Sequence, residues 1–181
     1  MAHFTLITGG CRSGKSAYAQ QLAESLPGRR AYVATCPVLD EEMRLRIERH
    51  QRARSRAQWE TIEEPLNLAG ALAGNPEYEV VLVDCVTLWV NNLMYLVERN
   101  GIQLRERDLT RHCEEVLEAG SKREGTVIFV TNEVGLGIVP DNALARRYRD
   151  LAGWCNQRIA AAADTVTLVT CGLPLHLKGH K

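Results

Sequence analysis

The stretch Gly9-Gly10-Cys11-Arg12-Ser13-Gly14-Lys15-Ser16 constrains the fold of this chain more than any other. It has the spacing G-x-x-x-x-G-K-[ST], follows an apolar run at residues 4–8, and leads into a helical pattern. Glycines at these positions let backbone N–H groups curl around a β-phosphate, while the lysine reaches the β- and γ-oxygens. The pattern therefore predicts a phosphate-binding loop, with Lys15 on a nucleotide and the Ser16 hydroxyl on Mg²⁺. A glycine-rich turn without a ligand is the alternative, which the flanking strand and helix patterns disfavour.

Short apolar runs alternate with longer helical segments along the rest of the chain. Nearly continuous apolar character predicts buried strands at residues 4–8, 31–34, 80–84, 127–131 and 166–170. Periodicity and caps predict helices at residues 15–26, 40–50, 66–72, 87–97, 105–123 and 141–163. The alternation indicates a mostly parallel sheet between helices on both faces. Together with the phosphate loop, we expect a three-layer α/β P-loop fold of the RecA-like type. Functional residues are then expected at the carboxyl ends of strands. The tail, residues 172–181, fits either an edge strand or a frayed end.

Length and charge narrow the class of protein further. With 181 residues, 45% of them hydrophobic, residues 1–181 suffice for one substantial core, so we expect a single nucleotide-binding domain. The 22 Lys and Arg balance the 22 Asp and Glu, so no net charge attracts nucleic acid or an anionic membrane. No signal-peptide pattern and no run of about 18 apolar residues is present, which favours a cytoplasmic protein without a membrane span. The six scattered cysteines lack a C-x-x-C pair and indicate reduced thiols.

A single aspartate ends another predicted strand. The run Val80-Val81-Leu82-Val83 leads directly to Asp84, and an apolar strand followed by an acid commonly holds the metal ion in proteins with a phosphate loop. We therefore predict that Asp84 and Ser16 hold Mg²⁺. The alternative is that Asp84 caps the helix predicted to begin near Thr87. The metal role is favoured because the phosphate loop needs such a partner.

The segment between residues 44 and 56 carries a strong local positive charge. Only Glu48 opposes its six arginines, which are Arg44, Arg46, Arg49, Arg52, Arg54 and Arg56. Arginine suits bidentate capture of phosphate oxygens, but a solvated helix face explains the charge equally well. Helical spacing puts His50 on one stripe with Met43 and Ile47. Such a histidine is usually a core residue, although a neutral imidazole among guanidinium groups is competent to attack phosphorus. The residues alone leave both interpretations open.

Several segments together form a pattern more specific than the phosphate loop. Besides residues 8–16 it comprises residues 32–35, 40–43 with 46, 47 and 50, 59–63, 84–89 with Asn92, 131–140, and 156–157 before 160–164. The Asn132-Glu133-Val134-Gly135 stretch and the spaced histidine are its least common parts. In this combination, and over almost its whole length, the chain resembles the bifunctional adenosylcobinamide kinase and adenosylcobinamide-phosphate guanylyltransferase family of cobalamin biosynthesis.

The resemblance implies two reactions. In the first, a γ-phosphoryl group passes from ATP or GTP to the hydroxyl of adenosylcobinamide, with charge stabilised by Mg²⁺ and Lys15. In the second, His50 attacks the α-phosphorus of GTP, pyrophosphate leaves, and the covalent GMP passes to adenosylcobinamide phosphate to give adenosylcobinamide-GDP. The resemblance further implies a homotrimer. It assigns nucleotide binding to Gly9, Gly10, Cys11, Arg12, Ser13, Gly14, Lys15, Ser16, Ala34, Thr35, Cys36, Gln51, Arg52, Ala53, Arg54, Glu63 and Asp84.

The residues also leave two competing functions and one unassigned segment open. A simple P-loop small-molecule kinase would use the same loop, with His50 in a purely structural role. A RecA-like ATPase acting on nucleic acid or a protein is the other alternative, which the balanced charge disfavours. Residues 131–140 follow a strand's carboxyl end, and Gly135 and Gly137 fit either a close approach to a substrate or a tight connection.

Overall fold

The computed structural model of the protein describes residues 1–36 and 59–179. Its centre is a seven-stranded sheet. The strands are β1 His3–Thr8, β2 Arg30–Ala34, β3 Trp59–Glu63, β4 Val80–Asp84, β5 Thr126–Val130, β6 Thr165–Thr170 and β7 Leu173–Lys178. Their spatial order is β3-β2-β4-β5-β1-β6-β7, in which β1 to β6 pair in parallel and β7 pairs with β6 in the antiparallel sense.

Five α-helices connect the described strands. They are α1 Lys15–Ser25, α2 Leu68–Ala73, α3 Val86–Glu98, α4 Glu106–Ser121 and α5 Ala143–Ala162, and a short 3₁₀ turn spans Val134–Leu136. The N-cap side chains of two helices accept hydrogen bonds from the first turn. The Asn67 carboxamide accepts one from the Gly70 N–H at the start of α2, and the Asn142 side chain accepts two at the start of α5. None of the described helices combines the length and the apolar character that crossing a membrane requires.

The two faces of the sheet bury separate apolar clusters because successive side chains of each strand point to opposite faces. On one face, Phe4 and Leu6 of β1 pack in the cluster that includes Trp89 of α3, Leu109 of α4 and residues of α2 and α5. On the other face, Ile7 packs with Val80, Leu82, Ile128 and Val130 against Ala19 and Ala23 of α1. The predicted three-layer α/β architecture is therefore confirmed.

Most predicted elements lie within one or two residues of the observed ones, and the differences have local causes. Strand β3 was not predicted, because its sequence Trp-Glu-Thr-Ile-Glu is that of a half-exposed edge strand rather than a continuous apolar run. Helix α2 begins at Leu68 rather than residue 66, since Asn67 is its cap. The tail forms β7, so the edge-strand alternative is correct through Lys178. The helix predicted from residue 40 through His50 lies outside the described residues.

Close packing between α4 and β1 gives a stability prediction. Gly120 is buried on α4, where an added Cβ would stand 2.8 Å from Phe4 Cε1. Alanine favours a helix by about 1 kcal/mol over glycine, but overpacking a core costs about 1–3 kcal/mol. We expect Gly120→Ala to lower the free energy of unfolding in urea by about 1 kcal/mol.

Gly153 on α5 is the matched control. An added Cβ there meets no atom of the described residues within 4 Å. Gly153→Ala is therefore expected to raise the free energy of unfolding by up to about 1 kcal/mol. Equal stabilisation by the two substitutions would contradict the packing of Gly120 against the Phe4 ring.

Candidate functional site

The phosphate loop joins the carboxyl end of β1 to α1 as predicted. Gly14 is the N-cap residue of α1 and adopts φ 95°, a left-handed conformation that favours glycine. It provides no side-chain cap, and the first turn of α1 contains no acidic residue. The first N–H groups of the helix are thus left to bind an anion, which the positive end of the helix dipole also attracts.

Glycines also let the loop pack closely against the end of the sheet. A Cβ on Gly9 would run into the carbonyl oxygen of Val169 on β6, and one on Gly14 would stand 3.1 Å from Gly172 Cα. The Gly172 N–H donates a 2.8 Å hydrogen bond to the Ser13 carbonyl oxygen. The turn between β6 and β7 therefore supports the loop from behind, a contact that the sequence did not predict.

Two polar side chains of the phosphate loop, Lys15 and Ser13, are placed where they could bind a ligand. The Lys15 Nζ donates to the Gly10 carbonyl oxygen at 3.1 Å, so the side chain folds back over the loop. The Ser13 hydroxyl is buried and has no hydrogen-bond partner among the described residues. A buried hydroxyl without a partner is costly, which makes an added acceptor or donor at this point favourable.

Asp84 lies at the same edge of the sheet, at the end of β4. Helix α3 begins at Val86 with Cys85 as its N-cap residue, so the alternative role of Asp84 as a helix cap is wrong. Burial raises the pKa of the Cys85 thiol, the negative charge of Asp84 raises it further, and the Lys15 ammonium opposes them. Asp84 and Lys15 thus both lie near enough to Cys85 to affect the pKa of its thiol. The predicted metal ligand and the phosphate-loop lysine therefore converge on one region.

The first segment after β2 is held by hydrogen bonds to β4 and α3. Thr35 is fully buried, and its hydroxyl accepts from the Cys85 N–H at 2.8 Å and donates to the Cys85 carbonyl oxygen at 2.9 Å. The Asn92 carboxamide donates to the carbonyl oxygens of Thr35 and Pro65 at 2.8 and 3.0 Å. The Thr35 side chain therefore aligns two strand ends.

Register brings the other predicted residues of this region to the same edge. Ala34 pairs with Glu63 of β3 on one side and with Asp84 of β4 on the other. Ala34 is buried, Cys36 is half-buried, and Glu63 is exposed. Three strands thus present their carboxyl ends side by side, as expected for a parallel sheet.

A buried polar network connects the loop after β5 to the phosphate loop. The Glu133 carboxylate accepts from the Thr8 hydroxyl at 2.6 Å and from the Asn156 carboxamide at 3.3 Å, and the Glu133 N–H donates to the Gly9 carbonyl oxygen at 3.1 Å. The Thr131 hydroxyl donates to Asn156 at 2.6 Å. Asn156 therefore positions Glu133. In the sequence, Asn156 is recognisable as a polar residue on the otherwise apolar stripe of α5.

The structure thus brings together the predicted site residues that it describes. The phosphate loop, Ala34, Thr35, Cys36, Glu63 and Asp84 all lie at or next to the carboxyl edge of the sheet. His50 lies outside the described residues, as do Gln51, Arg52, Ala53 and Arg54. Their assignment stays a prediction.

Comparisons with known proteins agree on one family. Residues 5–177 match the family model described as cobinamide kinase / cobinamide phosphate guanyltransferase. The chain is 44% identical over 175 residues to the bifunctional adenosylcobalamin biosynthesis protein CobP of Pseudomonas aeruginosa, with 96% of each chain covered. It is 39% identical over 181 residues to the bifunctional adenosylcobalamin biosynthesis proteins CobU of Salmonella typhimurium and Escherichia coli, covering 96% of this chain and 98% of each relative.

A solved structure supports the fold. The crystal structure of the RadB recombinase superposes with a TM-score of 0.51 at 16% identity, over 92% of this chain and 73% of that chain. At this identity the likeness concerns the fold alone. It agrees with the predicted RecA-like P-loop architecture.

The hydrogen bonds of Thr35 lead to a prediction about stability. Valine has nearly the same shape as threonine but leaves the Cys85 N–H and carbonyl oxygen without their partner. We expect Thr35→Val to lower the free energy of unfolding by about 2 kcal/mol or more. Thr35→Ser keeps the hydroxyl and loses one buried methyl group, which costs about 1 kcal/mol. Urea unfolding of the two variants checks this order, and a Val variant more stable than the Ser variant would contradict it.

Proposed function

Because the chain belongs to the cobinamide kinase / cobinamide phosphate guanyltransferase family, we propose that the carboxyl edge of its sheet is the nucleotide site for these reactions. The protein is a transferase of adenosylcobalamin biosynthesis with kinase and guanylyltransferase activity, as predicted from the sequence, and GTP and ATP fit it as substrates. One observation carries the proposal: the phosphate loop, Asp84 and the Glu133 network meet at this edge.

In the kinase step, binding and orientation provide most of the catalysis. The N–H groups at the start of α1 and the Lys15 ammonium hold the phosphates and balance the charge that develops as the γ-phosphoryl group moves. The hydroxyl of adenosylcobinamide attacks the γ-phosphorus in line, and the nucleoside diphosphate leaves. The close packing of Gly9 and Gly14 against Val169 and Gly172 supports a rigid loop, which keeps these donors in place.

The donor set at the edge fits Mg²⁺. We propose that the Ser16 hydroxyl and the Asp84 carboxylate hold the ion together with nucleotide oxygens, since Mg²⁺ prefers oxygen ligands and usually keeps several from water and phosphates. Among the described residues the Asp84 carboxylate makes no hydrogen bond or ion pair, and no group of three or more His, Cys, Asp or Glu could hold a metal ion. When bound, Mg²⁺ neutralises charge on the transferring phosphoryl group.

In the guanylyltransferase step, we propose that His50 is the nucleophile. Its imidazole attacks the α-phosphorus of GTP, a P–N bond forms as the bond to pyrophosphate breaks, and adenosylcobinamide phosphate then takes the GMP. We further propose that Ala34, Thr35, Cys36, Gln51, Arg52, Ala53, Arg54 and Glu63 line the nucleotide. The shared edge of Ala34, Glu63 and Asp84 supports the described part of this set.

Organisation of the protein is also proposed from family resemblance and charge. We propose a homotrimer, a single domain over residues 1–181, a cytoplasmic location and no nucleic-acid partner. The balance of 22 basic and 22 acidic residues supports the last point. Large exposed apolar side chains such as Tyr95 and Trp154 support contacts between subunits.

Labelling tests the histidine mechanism. Incubation with α-labelled GTP and Mg²⁺ is expected to put acid-labile, alkali-stable label on wild-type protein and none on His50→Ala, because a phosphoramidate survives alkali and hydrolyses in acid. His3→Ala is the matched control, since His3 begins β1 at the end remote from the phosphate loop. A wild type without label would support the simple kinase instead, and equal label on the His50→Ala variant would show that a residue other than His50 accepts GMP.

Alkylation of Cys11 tests nucleotide binding without turnover. Cys11 is exposed within the phosphate loop, so bound MgGTP is expected to cover it and to slow its modification by iodoacetamide. Peptide mass spectrometry measures the rate at this cysteine. Lys15→Ala should lose the protection because the main cation of the loop is gone. Unchanged alkylation of the wild type with MgGTP would contradict nucleotide binding at this loop.

A further inference from the structure

An exposed apolar segment follows the Glu133 network directly. Residues 134–139, here called the apolar loop, read Val-Gly-Leu-Gly-Ile-Val and contain no charged or hydrogen-bonding side chain. Leu136 is 79% exposed, Ile138 95% and Val139 59%. Covering such exposed apolar side chains with a ligand is favourable by about 25 cal/mol per Å² of apolar surface removed from water. A run of three on one loop is more than the single exposed apolar residues of an ordinary surface.

The residue that precedes the apolar loop is hydrogen-bonded to the phosphate loop and to the end of β1. This residue, Glu133, bonds to Gly9 through its N–H and to Thr8 through its carboxylate. The 3₁₀ turn Val134–Leu136 continues from this anchor and contacts α5. The apolar loop therefore begins next to the phosphate loop, where the nucleotide's phosphates are proposed to bind.

We propose that the apolar loop holds the corrin macrocycle of the acceptor substrate. The proposal rests on the proposed function, since it concerns the second substrate of the same site. In the kinase step the acceptor must bring a hydroxyl to the γ-phosphate, so its main body lies within reach of the phosphate loop. A nucleotide triphosphate is polyanionic and gains little from Leu136, Ile138 or Val139.

The chemistry of a corrinoid matches this surface. A corrin ring carries methyl groups and neutral amide side chains at its periphery, so it offers apolar area without a charge that would need a counter-ion. Gly135 and Gly137 add no side chains between the apolar ones, and a Cβ on Gly135 would meet no described atom within 4 Å. The backbone is thus open to close approach by a broad, flat ligand.

Equilibrium dialysis of the full-length protein with cobinamide, in the presence of Mg²⁺ and a non-hydrolysable ATP analogue, measures the contact directly. The visible absorption of the corrinoid reports binding independently of turnover. Ile138→Asn and Val139→Asn are each expected to raise the Kd for cobinamide about tenfold, the loss typical of one apolar side chain that a ligand buries. Ile138→Leu should restore near wild-type affinity because it keeps the apolar area.

Leu177→Asn is the matched control. Leu177 is 58% exposed, close to the value for Val139. It lies on β7 beside the start of β6, and therefore at the edge of the sheet opposite to the carboxyl edge. Its Kd for cobinamide should equal that of the wild type. MgGTP should protect Cys11 equally in all these proteins, since the nucleotide contacts are unchanged.

Each remaining outcome counts for or against the proposal. Unchanged cobinamide affinity in both loop variants, or no binding of cobinamide to the wild type, would overturn it. A change of molar mass on light scattering in the loop variants, with cobinamide affinity intact, would assign the surface to a second copy of the chain. Cobinamide binding that depends on the loop, in a protein that neither phosphorylates cobinamide nor labels His50, would refute the proposed function and leave this inference standing.

Discussion

Parallel pairing of β1 to β6 is the constraint on which the site depends, because it brings the carboxyl ends of all six strands to one edge. The phosphate loop leaves β1 there, Asp84 ends β4, and Ala34 sits between Asp84 and Glu63 in register. The two apolar clusters hold this arrangement by burying both faces of the sheet. The site needs no separate scaffold, since the core already positions its residues.

Packing and ligand binding place demands on the same glycines of the phosphate loop. Gly14 must adopt a left-handed conformation to start α1. Gly9 and Gly14 must also lack a Cβ, because Val169 packs closely against Gly9 and Gly172 against Gly14. Around them, buried polar groups are paired in short networks: Thr35 with Cys85, and Thr8, Thr131 and Asn156 around Glu133. Fully paired networks of this kind rigidify a structure, whereas each unpaired member would cost stability. Among the described residues, the hydroxyl of Ser13 in the phosphate loop is one of three buried side-chain polar atoms without a hydrogen-bond partner, and it lies close to Gly9.

Much of this was predictable where the signal is local. Buried strands are recognisable in a sequence as continuous apolar runs, which predicted β1, β2, β4, β5 and β6. Strand β3 was missed because it is a half-exposed edge strand with three polar residues among five, so it has no continuous apolar run. The role of Asp84 required a choice between capping α3 and facing the phosphate loop, and the start of α3 after Cys85 removed the first. For His50, helical spacing favoured a core residue, and only the resemblance to a family pointed to catalysis.

By itself, the sequence determined the phosphate loop, the α/β architecture and the family, because each depends on residue types at short, regular spacings. Tertiary structure decided which distant groups complete the site. Val169 and Gly172 support a loop more than 150 positions away in the chain, and Asn156 positions Glu133 from the middle of α5. Apolar side chains at residues 134–139 gave no hint of their exposure, since a run of Val, Leu and Ile reads as core until the surrounding helices are in place. Contacts between distant residues have no period along the chain, so only the folded geometry reveals them.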